Sequence, residues 1–206
     1  MFEIGHALVL GSGSPRRREM LEQLGLRLIV DPPHVDESYR SSDTPLGYVQ
    51  RIAREKLETT LRKWQTSQVG LSGILCADTV VCVEDEVLQK PRDVRDAEGM
   101  LNRLMGCEHR VMTAYALWGG AQGRIVERVV TTTVVFRHAT RQEIVAYARS
   151  GEGLDKAGAY AVQGLGSVFV ERIDGSYSNV VGLPLCTLFV DLVQLGIVAI
   201  TSDLPK

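Results

Sequence analysis

The chain reads as an α/β protein built on a mixed sheet. Three observations predict it. Apolar strand-like runs alternate with helical periodicities, two long β-rich stretches joined by glycines occupy the middle, and the run 73–83 suits a buried strand. At 206 residues and 22.7 kDa the length fits one domain, or two small lobes around a cleft.

The elements follow in order. Residues 7–10 form a strand that meets Gly11-Ser12-Gly13, and Ser14-Pro15 then supplies an N-cap and a first helical residue. That helix carries Met20, Leu21 and Leu24 on one face and stops at Gly25, before a second strand over 26–30. After the polar loop at Asp31-Pro32-Pro33, Thr44-Pro45 repeats the cap signal. Leu46, Val49, Ile52, Ala53, Leu57 and Leu61 then recur at three- and four-residue steps through a long helix. Strand 73–83 turns at Glu84-Asp85-Glu86 into a short partner ending near Gln89, and Asp93 caps a helix running through Leu101 and Leu104 to Gly106. Stretches 111–117 and 124–136 make a hairpin across 119–123. Thr140 opens a helix with Ile144, Val145 and Ala148. A glycine-rich segment, 151–166, leads to a strand at 168–170 and a turn at Asp174-Gly175, and a last helix spans 184–196.

Composition excludes several classes. With 45% apolar and 23% charged residues, neither disorder nor a collagen-like chain is expected. The 23 Lys+Arg against 25 Asp+Glu leave a formal charge of −2, which disfavours a globally basic nucleic-acid binder but permits a local cluster for small phosphates. Cys76, Cys82, Cys107 and Cys186 form no CxxC pair and read as reduced core thiols, Cys76 and Cys82 sharing one strand face. The start of the chain lacks a secretory pattern and no run reaches the roughly 18 apolar residues of a membrane span, so no membrane partner is expected and the expected compartment is the cytosol.

Two segments draw attention as chemistry. Gly11-Ser12-Gly13-Ser14-Pro15-Arg16-Arg17-Arg18 sets small residues and a helix start before three cations, a pattern suited to phosphate and equally to an ordinary capped helix. It is neither a Walker A loop nor GxGxxG. In Cys76-Ala77-Asp78-Thr79-Val80-Val81 a carboxylate and a hydroxyl interrupt an apolar strand; such an Asp holds a divalent ion, takes a proton from water, or caps a neighbouring turn. Asp36-Glu37 offers further oxygen ligands. Lys56, Lys90 and Gln163 are, taken singly, ordinary surface or loop groups. His6, His34, His109 and His138 lack zinc-ligand spacing, and no GxSxG supports a serine hydrolase.

Together, Ser12-Gly13-Ser14-Pro15-Arg16-Arg17, Ala77-Asp78-Thr79-Val80-Val81, Lys90-Pro91, Asp155-Lys156-Ala157-Gly158-Ala159-Tyr160, Gln163-Gly164 and the stretch from Gly175 to Pro184 resemble the Maf nucleotide pyrophosphatases over nearly the whole chain. The resemblance implies the inosine-triphosphatase-like α/β fold: a long mixed sheet with flanking helices, a cleft between two lobes, one domain over 1–206 and commonly a homodimer. It also implies hydrolysis of a nucleoside triphosphate between its α and β phosphates, assisted by a divalent cation such as magnesium, manganese or cobalt.

Carried onto this sequence, the resemblance makes Asp78 the proton acceptor and Arg16, Thr79 and Gln163 the residues that select the base. Ser12, Ser14, Arg16, Arg17, Lys56 and Lys90 become phosphate-binding groups, and Glu37 with Asp78 the metal-side carboxylates. The Arg/Thr/Gln set resembles the dTTP/UTP pyrophosphatases, whereas relatives cleaving 7-methyl-GTP typically carry Trp, Gln and Glu there. Gln163 offers the donor and acceptor that a uracil or thymine edge needs. The chain departs from the family pattern at Gly11, Cys76 and Leu154, where Ala, Gly or Ser, and Ser are respectively common. The rival readings are a nucleotide-binding regulator of septum formation without turnover, and a purine pyrophosphatase of the same fold acting on inosine or xanthosine triphosphate.

Overall fold

The computed structural model describes residues 2–4, 6–64 and 70–200. In chain order the strands are β1 (Phe2–Ile4), β2 (Ala7–Gly11), β3 (Leu28–Val30), β4 (Leu71–Val83), β5 (Glu86–Leu88), β6 (Glu108–Gly119), β7 (Arg124–Phe136), β8 (Val170–Asp174) and β9 (Val198–Ile200). The helices are α1 (Pro15–Gln23), α2 (Pro45–Trp64), α3 (Val94–Leu104), α4 (Arg141–Ser150), α5 (Tyr177–Val181) and α6 (Leu185–Gln194), with 3₁₀ turns at Ala157–Ala159 and Gly164–Phe169. A seven-stranded sheet runs β3-β2-β4-β6-β7-β8, with β5 beside β4. It is parallel across β3, β2 and β4 and antiparallel from β4 onward, the mixed sheet that the sequence predicts. The strands β1 and β9 form a separate antiparallel pair.

The local signals behave as their chemistry requires. Ser14 accepts from the Arg17 N–H to start α1, and Asp93 accepts from the Asp96 N–H to start α3. Thr140 and Glu143 complete a reciprocal capping box on α4. Alternation along β4 assigns its two faces. Ile74, Cys76, Val80 and Cys82 pack toward α2, whereas Leu75, Ala77, Val81 and Val83 join the larger core with Met20, Leu101, Ile144 and Leu188.

Three expectations are corrected, and three short elements lie outside them. The second strand begins at Leu28 rather than residue 26. Val168 and Phe169 belong to a 3₁₀ turn and the strand begins at Val170, because the glycine-rich approach keeps the chain coiled until the β7 edge is reached. The short elements β1, β9 and α5 went unpredicted, being too brief to show a period. Cys76 and Cys82 are buried core thiols, but Cys107 and Cys186 are exposed. Among the described residues no helix is long and apolar enough to cross a membrane.

Gly11 and Cys76 are partners across β2 and β4. A Cβ on Gly11 would lie 2.3 Å from Cys76 Sγ and 3.0 Å from Thr60 Oγ1. Gly11 and Cys76 are therefore one packing unit, in which the sulfur fills the space that a methyl at position 11 would take.

Candidate active site

The sheet is interrupted where the chemistry sits. On one edge of β4, pairing with β2 ends at Cys76 and pairing with β5 begins at Val81. Among the described residues no strand pairs with Ala77–Val80 on that edge, while β6 holds the other edge throughout. Here a cavity of about 610 Å³ opens. Because the gap exposes both faces of the strand, Asp78 on the α2 face and Thr79 on the opposite face line the same cavity.

Nine of the ten residues singled out from the sequence line it: Ser14, Arg16, Arg17, Glu37, Lys56, Asp78, Thr79, Lys90 and Gln163. Ser12 is buried behind them, its Oγ accepting from Arg17 Nη1 at 2.9 Å and from the Ser14 N–H. The lining holds five cations, Arg16, Arg17, Lys56, Lys90 and Lys156, against three carboxylates, Glu37, Asp78 and Asp155. The cavity is thus locally positive in a chain whose net charge is −2, as an anionic guest requires.

Lys56 is the electrostatic centre. Its helix α2 presents it to β4 among the apolar residues Ile52, Ala53 and Leu57, and its Nζ lies 2.8 Å from Glu37 Oε1 and 2.9 Å from Asp78 Oδ1. The Lys56 and Asp78 side chains are 10% and 13% exposed, so the pair is shielded yet open to the cavity. Tyr48 donates its O–H to the Glu37 carbonyl at 2.8 Å and so anchors the loop carrying that carboxylate. Burial first, then the negative charges of Asp78 and Glu37, push the Tyr48 hydroxyl up to about 12, keeping it a neutral donor.

The adjacent arginines have different tasks. Arg17 is buried, and its guanidinium donates to Gly182 O at 3.0 Å, Ala77 O at 2.8 Å, Ser12 Oγ and Thr79 Oγ1, the last at 2.9 Å. Four of its five N–H groups are thereby committed to protein. Its bond to Ala77 O stands where a strand partner would otherwise be. Burial pulls its pKa below the usual arginine value, with Asp78 pulling back, and it stays charged. Arg16 instead projects into the cavity with one distant partner, Asp155 Oδ2 at 3.5 Å. Lys90 is exposed at the rim.

Gln163 lies on an exposed loop whose continuation is pinned from below. Glu152 accepts from the Leu165 N–H at 2.8 Å, the Gly166 N–H at 2.9 Å and the Tyr147 hydroxyl at 2.9 Å. Gly158, at φ +71°, turns the neighbouring segment so closely that a Cβ would lie 2.9 Å from Val81. The roles of Tyr48, Glu152 and Asp155 were not foreseen. Asp155 lay within a quoted motif, while Tyr48 and Glu152 carry no signal beyond residue type.

Among the described residues no three His, Cys, Asp or Glu side chains converge as a metal cage. Glu37 and Asp78 alone suit a hard cation that takes one or two carboxylates and fills its shell with phosphate oxygens and water.

The arrangement can hold a polyphosphate, align a water and read a flat polar edge. A family model described as Maf-like protein matches residues 7–195. A protein of Neisseria meningitidis serogroup B named dTTP/UTP pyrophosphatase is 44% identical over 193 residues, covering 93% of this chain and 95% of the relative. Proteins of the same name from Hahella chejuensis, 46% identical over 92% of each chain, and Geotalea uraniireducens, 42% identical over 95% of this chain and 98% of the relative, align as fully. With the match spanning the sheet, its gap and every residue of the cavity, this chain belongs to the Maf family.

Proposed function

We propose that the chain is a nucleoside triphosphate pyrophosphatase acting on dTTP and UTP, releasing the monophosphate and pyrophosphate. One observation carries this reading: a cationic cavity holds the Lys56-bound Asp78 and, on the other side of the same strand, the polar reader Thr79 with Gln163 facing the same space. The names of the relatives, dTTP/UTP pyrophosphatase, support the same substrate pair.

In this reaction water adds across the α–β anhydride: one P–O bond forms, the bridging P–O bond breaks and one proton is released. Asp78 accepts that proton, and Lys56 fixes the carboxylate that receives it. Arg16 and Lys90 offset the charge gathering on the leaving pyrophosphate, while Arg17 holds the wall that carries Ser12 and Thr79. Glu37 and Asp78 would hold a divalent cation, which would supply further charge neutralisation. A homodimer resident in the cytosol completes this reading, with light scattering the check on its mass.

The test is a hydrolysis panel of dTTP, UTP, CTP, 7-methyl-GTP and ITP with magnesium, manganese or cobalt, read as pyrophosphate release. The expected leaders are dTTP and UTP. Dominant ITP turnover would transfer the chain to the purine reading. Nucleotide or steeply salt-dependent DNA binding without any release would favour the regulator.

A further inference from the structure

Thr113 of β6 lies directly across from Thr79 of β4 and is fully buried. Its Oγ1 is 2.9 Å from Thr79 Oγ1 and donates at 3.1 Å to the backbone carbonyl of Asn179. Thr79 Oγ1 also accepts from Arg17 Nη2. Each hydroxyl has one proton and two lone pairs, so the direction of the Thr79–Thr113 bond decides what Thr79 has left for the cavity.

Two proton arrangements compete. In the first, Thr113 donates to Asn179 O and Thr79 donates to Thr113, so that all three contacts are hydrogen bonds. In the second, Thr113 donates to Thr79, and its oxygen faces the Asn179 carbonyl oxygen at 3.1 Å with no proton between them. The second loses a buried bond and sets lone pair against lone pair in a dry place. The Gly182 N–H also reaches that carbonyl, at 3.0 Å, but a carbonyl has two lone pairs and takes both donors. The first arrangement prevails.

We infer that Thr113 is a positioning residue for specificity: it takes up the Thr79 proton, so that Thr79 shows the cavity only an acceptor. Resting on the dTTP/UTP reading, this deepens it. An acceptor attracts the N3–H shared by uracil and thymine and repels the N3 lone pair of cytosine. Gln163 cannot make this choice, because its exposed amide carries donor and acceptor and can be turned over. Arg17 reinforces the polarity, since its N–H fills the other lone pair of Thr79.

The experiment measures kcat/KM for UTP, CTP and 3-methyl-UTP with the unaltered protein, Thr113→Val and Thr113→Ser. Thr113→Val frees the Thr79 proton, and the UTP:CTP ratio is expected to fall about ten-fold, the scale of one misdirected hydrogen bond. Thr113→Ser keeps the ratio. The unaltered protein should turn over 3-methyl-UTP, which lacks the N3 proton, at least about ten-fold less efficiently than UTP. An unchanged ratio in Thr113→Val overturns the inference whatever its absolute rate. Should that variant not fold, equal use of UTP and 3-methyl-UTP by the unaltered protein overturns it as well. Equal hydrolysis of UTP and CTP would overturn this inference while leaving the pyrophosphatase reading intact. Absence of pyrophosphate release from every nucleotide would remove both.

Discussion

Lys56 Nζ lies 2.9 Å from Asp78 Oδ1, joining the middle of a long helix to the middle of the central strand at the point where the sheet opens. The carboxylate is thereby fixed in direction while its second oxygen has no other hydrogen-bond partner among the described protein groups. Asp78→Asn keeps the shape and the Lys56 contact but cannot take a proton. The expected outcome is an unchanged far-ultraviolet spectrum with pyrophosphate release reduced by roughly 10²–10⁴. Near-normal release would remove Asp78 from the mechanism.

Arg16 and Arg17 adjoin in sequence and should separate cleanly in experiment. Arg16→Ala removes a partly exposed group with one 3.5 Å partner, so stability should change by less than about 1 kcal/mol while KM for UTP rises. Arg17→Met leaves Gly182 O, Ala77 O, Ser12 and Thr79 without their buried donor, and should cost on the order of 3 kcal/mol. Paired denaturant and kinetic curves check both. The assignment fails if the two variants lose stability equally.

His109 gives a pH signature to the fold. It is buried in edge-to-face contact with Phe136 and Tyr160, its Nε2 is 2.9 Å from the Tyr160 hydroxyl, and its Nδ1 has no hydrogen-bond partner among the described residues. Burial pulls its pKa down to about 4 from the ordinary 6.5. Between those values the unfolded chain binds a proton that the native state refuses. The contribution is full above pH 6.5, erodes by at most about 1.4 kcal/mol per pH unit as pH falls, and is gone near pH 4. Urea midpoints from pH 7 to 4 should show this slope, and His109→Gln should flatten it.

The packing of Gly11 against Cys76 predicts a compensating pair. Gly11→Ala alone drives a methyl into Cys76 Sγ and should destabilise by on the order of 1–3 kcal/mol. Cys76→Gly alone leaves a cavity. The double variant should recover much of both losses, a coupling that a double-mutant cycle of melting curves measures directly. Additive losses would show that the two positions do not share a space.

Local chemistry was the legible part of this molecule. Ser14, Asp93 and Thr140 start helices because their side chains answer amide groups three residues away, and such signals are complete within the sequence. The apolar spacing of α2 likewise marks which face is buried. What it does not mark is Lys56, a charge on that apolar face, whose partners Glu37 and Asp78 become visible only when a loop and a strand arrive from either side. Asp78 and Thr79 stand out as polar breaks in an apolar strand and the resemblance to a family adds Gln163, but neither signal shows what supports them. Thr113, Glu152 and the committed donors of Arg17 depend on strand register and loop return, which no local pattern encodes. The same holds for Asp191, buried beneath Tyr115 and Arg128 although its helix reads as apolar.

The gap beside Ala77–Val80 has a consequence for how such a protein can diversify. In a continuous sheet a ligand on one face meets every second side chain, and the residues between are answerable to a different core. Here neighbours along the chain, Asp78 and Thr79, both line the one cavity. Exchanging the second leaves the first and its lysine in place, so that under the proposed roles a new base is admitted without rebuilding the step that cleaves the anhydride.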